Sequence, residues 1–152
     1  MPFTFCPFPY KFYLSFMSKF FSAEGISKET TLALVRMLIG IFLIYHGSEV
    51  FDPAKMEDYA TWIPDLKTGS PLFVSYLGKA FELIGGLLLL LGFLTRIACV
   101  IILLTFLMIT FFAGEGRVFV EEQYPFLFCI FATLFFFAGA GKWSIDKLVF
   151  GK

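Results

Sequence analysis

The sequence predicts an all-α fold: an integral membrane bundle of four transmembrane helices, with an amphipathic interfacial helix at the N-terminus. Three observations lead there. Hydrophobic residues make up 59% of the 152-residue chain, well above the share a soluble domain carries, so water is not its main solvent. The apolar residues gather into four stretches, each near the length of about 20 residues that a hydrocarbon core demands. Between them the chain turns polar, charged and proline-bearing, as connections in water do.

Residues 1–30 form an N-terminal arm. Nine aromatics crowd residues 1–21, Pro7 and Pro9 interrupt the apolar run, and a basic leading segment is missing, which argues against a signal peptide. From Lys11 onward, Lys11, Ser15, Ser18 and Ser22 recur at helical spacing while Phe12, Tyr13, Phe16 and Phe20 take the other side. That pattern predicts a helix in the membrane interface, either a plain anchor or a docking arm for a partner subunit. Cys6, between Phe5 and Pro7, is a candidate reactive or lipid-modified thiol.

The four-helix domain occupies 31–147, and a short tail follows at 148–152. Its spans read as 31–50, 72–94, 96–113 and 121–140. The second and third are joined only by the turn Gly92-Phe93-Leu94-Thr95-Arg96, which makes them an antiparallel hairpin. The connection 51–71 carries Pro53, Pro64, Gly69 and Pro71 with Tyr59 and Trp62, the composition of a wet loop with aromatic anchors. With both termini inside, Lys11, Lys19, Lys28, Arg36, Arg96, Lys142, Lys147 and Lys152 fall on or near the inner side. Lys55, Lys67, Lys79 and Arg117 fall on the outer. The excess of basic residues places both termini in the cytoplasm.

Composition also excludes several functions. Twelve basic residues balance twelve acidic ones, so the broad positive surface that nucleic acid requires is missing. The three cysteines, Cys6, Cys99 and Cys129, form no CxxC pair, which removes a thiol-disulfide relay. His46 is the single histidine; it cannot supply both axial ligands of a bis-histidine haem, and neither haem nor metal is expected.

Polar groups inside apolar stretches carry the most information, because a charge at mid-bilayer costs roughly 2.5–3.5 kcal/mol on insertion scales. Glu82 lies near the midpoint of the second span, on one helical stripe with Ser75, Gly78, Lys79, Gly85 and Gly86. Small residues admit a neighbouring helix, so the stripe faces the bundle. On the first span Arg36, Gly40, Leu43 and Gly47 form a similar stripe, with His46 beside it and Glu49 one turn further out. Glu82 falls between the levels of Arg36 and His46, which makes an Arg36–Glu82 ion pair geometrically attainable if the two spans adjoin. These three are the candidate ligand-binding residues; the rival reading is that the buried charges only fix helix register. Glu121 and Glu122 open the fourth span, where a helix N-terminus favours carboxylates. Lys79, Arg96, Glu122, Ser144 and Asp146 are read as structural polar residues.

Taken jointly, several of these elements resemble the DoxX family of small bacterial membrane proteins over roughly 30–147. They are Leu34-Val-Arg36 with Gly40 and His46-Gly47; Glu82-Leu-Ile-Gly85-Gly86-Leu and Leu91-Gly92-Phe-Leu-Thr95-Arg96; Glu122; and Gly139-Ala-Gly141-Lys-Trp-Ser144-Ile-Asp146. The resemblance implies a four-helix bundle in the bacterial cytoplasmic membrane. Part of the family looks like the small membrane subunit of thiosulfate:quinone oxidoreductase. Two positions depart from the family's pattern: Glu49 stands where Lys often follows the His-Gly pair, and Ala140 where Pro is frequent.

The function expected is therefore a membrane subunit associated with an oxidoreductase, with a quinone as candidate ligand and no redox centre of its own. The alternatives are a non-enzymatic assembly, anchoring or lipid-binding subunit, and a transporter or proton pathway, which four spans could enclose only as a dimer. Expected partners are membrane lipids and further membrane subunits or a second copy of the chain.

Overall fold

A computed structural model describes residues 27–63, 70–114 and 116–151. The described residues are helical, with no strand among them. Helix α1 spans Lys28–Gly47 and runs on into a single 3-10 turn, Ser48–Phe51. Helix α2, Pro53–Trp62, is short and polar. Helices α3, Pro71–Leu91, and α4, Thr95–Met108, form the expected hairpin. The last turn of α4 widens into a π-helix, Ile109–Ala113. Helices α5, Gln123–Ala138, and α6, Ile145–Phe150, complete the chain.

Three segments are long and apolar enough to cross a membrane: Lys28–Phe51, Pro71–Leu91 and Thr95–Ala113. They coincide with the first three expected spans. Helix α5 is apolar but has only 16 residues. The amphipathic helix expected from Lys11, and Cys6, lie outside the described residues.

Helix α1 packs chiefly on α3, α3 on α4 and α4 on α5, whereas α5 touches α1 lightly. The α1–α3 contact is backbone against backbone, and its glycines set the register. A Cβ on Gly40 would lie 2.8 Å from Leu90 Cα, one on Gly86 would lie 2.8 Å from Leu43 Cβ, and one on Gly47 would strike the Leu83 backbone. Helices approach this closely only where the side chain is missing. The turn between α3 and α4 needs Gly92 at φ +62°, in the left-handed region that glycine adopts without steric cost. Inside the bundle, Leu43, Leu89, Ile102, Phe106, Cys129 and Phe135 form one core, with Phe106 stacked on Phe128 at 4.8 Å. Cys99 and Cys129 are buried free thiols, as small hydrophobes would be.

Sequence composition made 51–71 a loop, but its first half is helix α2. Asp52 explains this: its carboxylate accepts from the Ala54 and Lys55 amides, and Pro53 opens the helix with a preset φ.

Candidate functional site

The register that Gly40, Gly47 and Gly86 impose decides where the buried charges meet. Leu83 lies opposite Gly47, so Glu82 comes level with the end of α1 and faces Glu49. Glu82 is 3% exposed. Its Oε2 accepts from Lys79 Nζ at 3.0 Å, and the same ammonium reaches Glu49 Oε2 at 3.1 Å. Glu49 also accepts from Tyr59 Oη at 2.8 Å and Lys55 Nζ at 2.7 Å. The Lys79 ammonium lies 4.7 Å from the centre of the Tyr59 ring, a cation–π contact. Helix α2 delivers Lys55 and Tyr59, and Met56, fully buried, keys that helix in place. Burial, then the hydrogen bond to Glu49, pushes the Tyr59 phenol up to about 12, so it stays a donor at neutral pH.

Two carboxylates therefore share one partly buried ammonium, which sits between α1 and α3 and is roofed by α2. The second cation, Lys55, is half exposed at the edge. Among the described residues nothing donates to the other Glu82 oxygen, Oε1. A nearly buried carboxylate with an open acceptor is a place for a ligand donor or a proton.

Arg36 does not join Glu82. It is fully buried, and its guanidinium donates to Leu89 O at 2.5 Å, Leu90 O at 2.9 Å and Trp143 O at 2.9 Å. In this register Arg36 and Glu82 are about 18 Å apart along the helix axes at about 1.5 Å per residue, beyond the reach of one side chain. The two spans adjoin, but the pairing that their sequence levels make attainable does not form, because α3 starts well beyond the end of α1 and carries Glu82 away from the middle of α1. Arg36 instead serves the last carbonyls of α3, where a cation suits the helix C-terminus. Beside it Asp146 accepts from the Leu94 amide at 2.7 Å and the Thr95 amide at 2.8 Å, and so caps α4 from across the sequence. Burial would raise the Asp146 carboxyl, but the Thr95 and Leu94 hydrogen bonds and the Arg36 charge hold it below its ordinary value. Ser144 caps α6 through the Lys147 amide, and Lys147 pairs with Glu29 on α1 at 2.9 Å. Arg36, Ser144 and Asp146 thus tie the C-terminal segment to α1 and to the α3–α4 turn.

His46 is exposed on the outside of α1, edge-on to Tyr45. Arg36, His46 and Glu82 do not converge on one pocket. Arg96 is exposed in the first turn of α4. Glu122 occupies the N-cap position of α5 without a capping hydrogen bond, its carboxylate packed over Gly114, while Glu121 pairs with Arg117 at 3.7 Å. Tyr59 and Lys55 were missed as site residues. The available signal was the Asp52-Pro53 helix start, which puts Lys55 and Tyr59 on consecutive turns of one face.

The DoxX family model matches residues 31–115, just over half of the chain. The chain belongs to the DoxX family. No curated protein matches it, and no solved structure does. The DoxX match covers α1 to α4 and so contains Arg36, Glu49, Lys79 and Glu82. Glu122, Ser144 and Asp146, which the wider resemblance included, lie beyond it.

Proposed function

We propose that this DoxX protein is a membrane subunit that works beside an oxidoreductase and holds the polar head of a quinone-like amphiphile at Glu82. The observation that carries the reading is the open Oε1 of a carboxylate that is 3% exposed and already fixed by Lys79. In this reading Glu82 meets a hydroxyl of the quinol or, when protonated, donates to a carbonyl of the quinone. Lys79 fixes the carboxylate, and Tyr59 and Glu49 line the edge of the site nearest Lys55. In this reading the chain has no redox centre of its own, electrons come from a partner protein, and the chemistry of the pair is quinone plus two electrons and two protons giving quinol.

The rest of the reading follows the same reasoning. Helix α5 is the fourth span, about 24 Å long at about 1.5 Å per residue, which a locally thinned bilayer accommodates. Among the described residues, Lys28, Arg36, Arg96, Lys142 and Lys147 lie toward the end where the described chain starts and finishes, against Lys55, Lys79 and Arg117 toward the other. This supports both termini in the cytoplasm of a bacterial inner membrane. Lipids, a partner subunit or a second copy cover the exposed apolar faces.

The test is titration of a short-chain quinone into the full-length protein in lipid nanodiscs, read by calorimetry. Saturable heat in the wild type that disappears in a folded Glu82→Gln variant is expected; equal heats in both contradict the reading. A second reading, a non-enzymatic assembly subunit, draws on Arg36, whose hydrogen bonds go to backbone carbonyls that hold the fold together.

A further inference from the structure

We infer that Glu49 is the residue through which protons pass between water and Glu82, with Lys79 as the link. The inference rests on the reading of Glu82 as the site but concerns its supply and not its ligand.

The geometry is a continuous chain of charged groups. Glu82 Oε2 is 3.0 Å from Lys79 Nζ, which is 3.1 Å from Glu49 Oε2. An ammonium has three N–H bonds. One Lys79 N–H donates to Glu82 Oε2, Glu49 Oε2 lies within ion-pair distance of the same nitrogen, and the ammonium also faces the Tyr59 ring. Both the Lys79 and Glu49 side chains are 14% exposed, against 4% for Glu82, so accessibility rises along the chain toward the edge that Lys55 occupies at 50%. Among the described residues, Lys79 on the same helix, Glu49 at the end of α1, and Tyr59 and Lys55 on α2 are the charged and titratable groups around Glu82. Tyr59 is held as a donor and Lys55 meets only the outer oxygen of Glu49, so the route from Glu49 to Glu82 passes through Lys79.

The step balances without any redox partner. Water at the edge of α2 protonates Glu49 in passing, and Lys79 gives one proton to the Glu82 carboxylate as it takes that one from Glu49, ending in the charge state it began with. Glu49 returns to the carboxylate that Lys55, Tyr59 and Lys79 surround. Run in reverse, the same exchange discharges Glu82. A purely structural ion-pair network needs only the positive charge at position 79 and is indifferent to whether that charge can move. That difference supplies the test, because arginine keeps the charge but does not release its proton in proteins.

The experiment is infrared spectroscopy of full-length protein in lipid, following the carbonyl band of protonated Glu82 as the bathing buffer is changed from H2O to D2O. The band is assigned by its loss in Glu82→Gln. Its shift on deuteration is timed in wild type, Glu49→Gln, Glu49→Asp and Lys79→Arg. The relay predicts that Glu49→Gln and Lys79→Arg slow the exchange by a factor of at least about ten, on the scale of a lost acid–base group, while Glu49→Asp restores it in large part. Exchange as fast as wild type in both slowed variants overturns the inference. So does the absence of any Glu82 band across the pH range in which the protein stays folded. If calorimetry shows no quinone binding but exchange still depends on Glu49 and Lys79, the relay stands and the quinone reading falls.

Discussion

At the scale of single residues, Arg36 and Glu82 are both charges in apolar helices, yet they serve different ends of the molecule. Arg36 satisfies the Leu90 carbonyl, which α3 leaves unpaired, and adds a second donor to Leu89 O beside the Gly92 amide; a buried acceptor without a partner costs about 1–3 kcal/mol. Glu82 keeps an oxygen open. Asp146 resembles Arg36 in closing a helix end, and its effect on stability has a definite sign. Its carboxyl is held below the ordinary value of 3.8, so the folded state gains stability from it at neutral pH. That gain disappears as pH falls from about 3.8 through the lower folded value. Thermal unfolding of wild type and Asp146→Asn in detergent should therefore differ at neutral pH, with the wild type higher, and the two curves should converge in acid. A constant gap at all pH values would mean that the charge on Asp146 plays no part.

At the scale of elements, the α1–α3 contact turns glycine positions into register. The glycines on that face were legible in the sequence as a stripe, but the stripe says only that a helix approaches, not which residue it meets. Levels estimated from span midpoints put Glu82 opposite the middle of α1. The packing moved it to the end of α1, because the first turns of α3 run past α1 and lie beside α2 instead. The contact predicts a contrast between neighbouring glycines of one helix. Gly86→Ala puts a methyl 2.8 Å from Leu43 Cβ and 2.9 Å from the Ile44 amide nitrogen, and overpacking of this kind costs about 1–3 kcal/mol. Gly78 lies on the same stripe with nothing within 4 Å of an added Cβ. Gly78→Ala should be neutral or stabilise by up to about 1 kcal/mol through helix propensity. Equilibrium unfolding of both variants measures the contrast, and equal costs would show that the register described here is wrong. Helix α2 is the other lesson at this scale. Three prolines and a glycine across 51–71 read as a loop, while the Asp52-Pro53 pair, a helix start by capping chemistry, outweighed them over ten residues.

Across the whole molecule, hydropathy announced three helices long and apolar enough to cross a membrane, while the fourth expected span is a 16-residue apolar helix. The polar clusters were not legible in the same way. Their members come from separate elements: Glu49, Tyr59 and Lys79 at one end of the bundle, Arg36, Asp146 and Glu29 at the other. Only the packing tells which pairs form. The end tied by Asp146 and Lys147 is closed by backbone and side-chain bonds from the C-terminal segment, which fastens the region after α5 to α1 although the two helices themselves touch little. The opposite end is held by ion pairs among side chains. A site that must admit a ligand and exchange a proton fits the second end better than the first, since ion pairs at a wet edge rearrange more readily than buried amide hydrogen bonds.

Native mass spectrometry of the protein extracted from its own membrane, as wild type and as Glu82→Gln, tests that division most directly. Wild type should carry a quinone or an oxidoreductase subunit, and folded Glu82→Gln should lose the quinone while keeping its lipids. If neither protein carries a quinone or such a subunit, and Glu82→Gln is only less stable, then Glu82 is part of the scaffold like Arg36 and the functional reading is contradicted.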